Sequence, residues 1–181
     1  MTSVANQRFA EIVMPRLDEG YRLARWLTGS ATDAEDVVQE ACIKAYRAIE
    51  TFTDINGRAW FLTIVRNSGH SWLAKHRPHV LAFIDDIADN ENDAGHPLNA
   101  SHLTGQKTPE DNLIAKDEAF RLASAIDLLP IHLRETLILR EYNDLNYRDI
   151  ASMTEVPIGT VMSRLARARQ TLAALLKEEA R

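Results

Sequence analysis

Apolar residues in this chain recur at three- and four-residue intervals, and nowhere do they alternate with polar ones for a useful length. That spacing specifies helices buried along one face and leaves little from which to build a sheet. Residues 5–28 read as helix with an interruption near Pro15, and "YRLARWL" offers Tyr21, Leu23, Ala24, Trp26 and Leu27 for packing. In "DAEDVVQEACIKAYRAIE" (33–50), Val38, Ala41, Ala45 and Ile49 mark a buried face. Thr32 is the expected cap of that helix, with Glu35 completing a capping box. "GRAWFLTIVRNSGHSWLAKH" (57–76) supplies the next helix, with Trp60, Ile64 and Trp72 available to a core and Pro78 ending it.

The periodicity lapses over 78–109, where Gly95, Pro97, Gly105 and Pro109 punctuate a stretch rich in Asp and Asn. That is longer than a normal loop within a domain, so it marks a boundary. Helical spacing returns at 110–128, 131–143, 147–154 and 158–176. The expected fold is all-α: two small helical domains, 1–78 and 110–181, joined by a flexible acidic linker over 79–109. Within the second domain, "YRDIASMTEVPIGTVMSRLARAR" (147–169) has the layout of a helix-turn-helix. Ile150, Ala151, Val156, Val161 and Leu165 would hold two crossed helices, and Pro157 suits the start of the second. Glu155 occupies the turn position often filled by Gly, so either a left-handed backbone there costs about 1–2 kcal/mol or the turn takes another shape. The second helix would present Thr160, Ser163, Arg164, Arg167 and Arg169 to a major groove.

The net charge is −5, which argues weakly against nucleic acid as a whole-chain partner, but the charges are segregated. Residues 58–84 contain no Asp or Glu, and neither do residues 156–177, whereas "DDIADNEND" (85–93) has five acids and no base. Two basic blocks around an acidic one point to nucleic acid despite the acidic total. The single cysteine, Cys42, excludes an internal disulfide and any CxxC metal site, and fits a reducing cytoplasm. There is no membrane-length apolar run, no signal-peptide pattern, no Gly-rich phosphate loop and no nucleophile motif. The expectation is a cytoplasmic protein that is not an enzyme, needs no cofactor or metal and has no stable membrane insertion. Asp33, Asp36 and Glu40 share one helix face with Gln39 nearby, and two readings stay open: a solvated face, or a docking face for a basic partner.

Three blocks, "DAEDVVQEACIKAYRAI", "RAWFLTIVRN" and "VPIGTVMSRLARAR", resemble the signatures of bacterial sigma factors of the extracytoplasmic-function (ECF) group, in that family's order. The resemblance implies that 1–78 is a region 2-like domain and 110–181 a region 4-like domain, with core RNA polymerase and promoter DNA as partners and a separate anti-sigma factor as regulator. Asp36, Gln39 and Glu40 match polymerase-facing positions. The loop 51–57 matches the one that captures a flipped base of the single-stranded −10 element. Phe52 would stack there, while Thr53, Asp54 and Asn56 would bond to a base edge. Arg58, Arg66, Asn67 and Lys75 would line the same strand. Thr160, Ser163 and Arg167 match the face turned to the double-stranded −35 element, with Arg164 and Arg169 on phosphates or in structural roles. Two rivals stand beside this reading. One is a helix-turn-helix regulator that never joins polymerase; the other is a metal site drawn from His70, His76, His79 and Asp85.

Overall fold

A computed structural model describes residues 3–53, 56–78 and 111–178 of the chain, and every regular element among them is helical. The elements are α1 (Ser3–Ile12), a 3-10 turn (Met14–Arg16), α2 (Leu17–Thr28), α3 (Ala31–Ala48) and α4 (Gly57–His76). After the linker come α5 (Asp111–Asp127), α6 (Ile131–Glu141), α7 (Tyr147–Thr154) and α8 (Ile158–Glu178). The expected linker, 79–109, lies outside the described residues, as do Asp54, His79 and Asp85. Pro15 sits in the 3-10 turn, where a missing N–H breaks the first helical stretch into α1 and α2. Gly29, at φ 71°, ends α2 in the left-handed conformation and donates its N–H to the carbonyl of Arg25.

The expected start of α3 shifts by two residues. Ser30, not Thr32, is the cap: its backbone is extended and its Oγ accepts from the N–H of Asp33 at 3.4 Å. The buried stripe shifts with it, to Ala34, Val37, Ala41, Ala45 and Ile49, while Val38 is only partly buried. These small residues let α3 lie close to α2 and α4. Phe61, Leu62 and Val65 of α4 meet Leu23, Ala24 and Leu27 of α2 in the core of the first lobe. Gly20 permits that approach, since a Cβ there would stand 3.0 Å from Cε1 of Phe61 and 3.2 Å from Cγ2 of Val65. Trp60, Ile64 and Trp72 border this core without being fully buried.

In the second lobe, Leu133, Leu137 and Ile138 of α6 are buried in one cluster with Ile150 and Met153 of α7 and Val161, Leu165 and Ala168 of α8. Asn146 caps α7, accepting from the N–H of Asp149 at 2.9 Å. Glu155 does adopt the left-handed conformation, φ 57° and ψ 37°, and its N–H closes α7 on the carbonyl of Ala151. The turn therefore keeps its shape, and the strain of a side chain there is carried by the packing of α7 on α8.

Candidate nucleic-acid interface

Asp36, Gln39 and Glu40 all stand exposed on α3, opposite its alanine stripe. Glu40 pairs with Lys44 at 2.8 Å, one turn along the same surface. Between solvated side chains such a pair contributes little, about 0–1 kcal/mol.

The expected −10 residues divide into groups. Asn56 is the cap of α4, accepting from the N–H of Ala59 at 3.1 Å, and its amide also donates to Asp149 of α7 at 3.1 Å. Thr53, Asn67 and Lys75 are exposed. Phe52 is not the open stacking residue expected from its place in a loop. It is 7% exposed, with its ring stacked on Trp60 at 4.3 Å between centroids. Phe52 turns inward because two large aromatic rings bury more apolar area against each other than either would in water. Arg58 is held by Glu19 at 2.7 Å and by the carbonyl of Asn143. Arg66 donates a two-pronged bond to Glu135 of α6, Nε to Oε1 at 2.7 Å and Nη2 to Oε2 at 3.3 Å.

Glu135 is not among the site residues expected from the sequence, yet it binds Arg66 of this group from beneath the surface. Its carboxylate is 3% exposed, and Nε2 of His70 also reaches it, at 2.9 Å. Burial alone would raise its pKa, but the bonds and charges of His70 and Arg66 outweigh burial and hold it below the usual value. The signal was available: Ile131, Leu133, Thr136, Leu137, Ile138 and Leu139 make α6 buried nearly all round, so an acid inside it requires a partner. His70 is committed to this carboxylate and His76 turns to the carbonyl of Trp72. Among the described residues no group of three or more His, Cys, Asp or Glu is placed to hold a metal ion.

On α8, Met162, Ser163, Ala166, Arg167 and Arg169 are exposed, while Thr160 and Arg164 are half-buried. Arg169 pairs with Glu141 at 2.6 Å, which raises its pKa further. Arg164 and Arg167 both act on His132 of α6. Its imidazole is pushed down to about 4, by burial first and by these two cations next.

Comparison with known proteins fits this layout. The Sigma-70 region 2 family matches residues 12–79, and the Sigma-70 region 4 family matches residues 119–172. The ECF RNA polymerase sigma-E factor of Haemophilus influenzae is 35% identical over 146 residues, 79% of this chain and 74% of that protein. The chain belongs to the ECF RNA polymerase sigma factors. Its counterpart in Escherichia coli (strain K12) is 34% identical over 142 residues, 77% of this sigma factor and 72% of the relative. Among solved structures, the sigma factor RpoE in complex with the anti-sigma factor NepR from Bartonella quintana superposes with a TM-score of 0.68 and 26% identity, covering 93% of this chain and 96% of that one. CnrH in complex with the cytosolic domain of CnrY shares the fold, with a TM-score of 0.63 over 96% of this chain and 95% of that one. The region 2 match thus spans α2–α4, the region 4 match runs from within α5 into α8, and α2 packs directly on α6. No helix among the described residues is long and apolar enough to cross a membrane.

Proposed function

We propose that this sigma factor binds core RNA polymerase through the exposed face of α3, melts the −10 element with loop 51–57 and α4, and reads the −35 element with α8. It does so in the cytoplasm, without catalytic chemistry of its own, and an anti-sigma factor holds it inactive. The observation that carries this reading is the order of its parts. An acidic exposed face, a basic helix and a helix-turn-helix with an exposed basic face occur in one chain, each on the block that matches the corresponding family region. A regulator that never joined polymerase would have no use for the first two. Opening DNA requires only that an unstacked base and its phosphates be held, which lowers the free energy of the melted form. Thr53 and Asn67 are accessible for that in the structure as it stands. The solved RpoE of Bartonella quintana is captured with the anti-sigma factor NepR, which supports the same mode of control here.

The −35 reading is tested on two arginines of α8. Arg167→Ala is expected to cost about 1–3 kcal/mol and to relax preference at one or two bases. Arg169 is tied to Glu141, on the edge of the exposed face. Arg169→Ala should weaken all promoters alike and flatten the dependence on salt. Binding of polymerase holoenzyme to a panel of −35 variants, at several salt concentrations, separates the two. Identical behaviour of both variants on every sequence would remove Arg167 from base reading.

A further inference from the structure

The two DNA-facing surfaces meet at a single carboxylate. Arg66 of α4 and Glu135 of α6 come from different lobes, separated by 69 residues in sequence, and their bond is among the better shielded polar contacts of the described chain. His70, one turn along α4 from Arg66, reaches the same oxygen. Arg164, from the −35 helix, acts electrostatically on both Glu135 and Arg66. His132, on the same helix as Glu135, feels the charge of Arg164 and Arg167. Around this centre the lobes are pinned further by Asn56 to Asp149, by Arg58 to the carbonyl of Asn143, and by Trp26 against Tyr142 at 5.5 Å. A carboxylate gripped by the fork of one arginine and by a histidine presents the same chemistry as a phosphate in that position.

We propose that Glu135 is an internal counterion that closes region 4 onto region 2 and competes with single-stranded DNA for Arg66. The proposal rests on the reading of α4 as the −10 surface. While Glu135 occupies Arg66, a strand cannot, so the free protein must open before it can hold melted DNA. The apparent affinity for such a strand is the intrinsic affinity scaled by the fraction of open molecules. Control of initiation would then lie partly within the chain, and a regulator that favours the closed form would work with this contact.

The test uses the full-length chain, small-angle scattering, and anisotropy of a fluorescein-labelled single-stranded DNA of mixed sequence. Glu135→Gln should enlarge the radius of gyration and raise affinity for the strand by about fivefold or more, with helical circular dichroism unchanged. His70→Ala should shift both readouts in the same direction by less. It adds no positive charge, so its gain in affinity can come only from opening, and it decides the matter if Glu135→Gln does not fold. A folded Glu135→Gln with unchanged dimensions, or His70→Ala with unchanged dimensions and affinity, overturns the closure. Opening without any gain in strand affinity overturns the competition. Adding Arg66→Ala to Glu135→Gln tests the underlying reading separately. If strand affinity in the opened protein is indifferent to Arg66, α4 loses its −10 assignment at that residue while the closure itself stands.

Discussion

Changing both Asp36 and Glu40 to arginine is expected to weaken binding to core RNA polymerase by at least about tenfold, because close charge pairs at interfaces couple by roughly 1.5–7 kcal/mol. The fold should survive. Both side chains are exposed, and the stripe that holds α3 in place, Ala34 to Ile49, is on the other side of the helix. The change removes the Glu40–Lys44 ion pair, whose side chains are 53% and 44% exposed. Replacing it with two cations four residues apart costs a few tenths of a kcal/mol. The change in polymerase affinity therefore exceeds the change in stability, and a titration of labelled core polymerase beside a thermal melt resolves the two. Binding of the −35 element by holoenzyme, once formed at high protein concentration, should be unaffected. An affinity for core equal to that of the unchanged protein would return this surface to plain solvation.

Replacing Arg134 by methionine is expected to cost about 3–5 kcal/mol of stability, the range for breaking a buried ion pair by removing one partner. Arg134 is 6% exposed and sits at the start of α6, where Pro130 offers no side-chain cap. Its guanidinium instead donates to the carbonyls of Asp127 and Leu129 and, at 3.5 Å, to Trp26 of the first lobe. The carboxylate of Asp127 lies 3.6 Å away. Burial pushes Arg134 below its ordinary pKa and Asp127 above, and each opposes the shift of the other. Methionine keeps the aliphatic stem but leaves those buried carbonyls without their donor and Asp127 without its cation. At roughly 2–4 °C per kcal/mol the melting temperature should fall by about 10 °C. A loss below about 1 kcal/mol would mean that water takes over the bonds at the α5–α6 turn.

The local elements were legible because their signals are local. α4 and α7 have the bounds that the spacing gave, 57–76 and 147–154, since apolar periodicity and nearby breakers act within a few residues. The start of α3 was displaced because Ser30 and Thr32 are both good caps, and only the register of the core chooses between them. That register also placed Val37, not Val38, inside. The helix-turn-helix could be read in its layout, but the sequence left open whether the turn at Glu155 is left-handed, which the structure shows it to be. What could not be read was contact between distant residues. Arg58 and Arg66 looked like free phosphate ligands because Glu19, Asn143 and Glu135 lie 39, 85 and 69 residues away in sequence. Phe52 looked open because its partner, Trp60, sits on the next helix, α4, and not at helical spacing from it. Asp54 falls outside the described residues, so its expected contact with a base edge rests on the resemblance alone.

The central assignment is tested most directly by run-off transcription with purified bacterial core RNA polymerase on duplex promoter templates, with permanganate footprinting of unpaired thymines on the same DNA. The chain should yield specific transcripts and a reactive bubble at the −10 element only when core is present, and should bind these promoters poorly by itself. Tight promoter binding by the free chain, with no transcript and no reactive thymines when core is added, would contradict its role as a polymerase subunit.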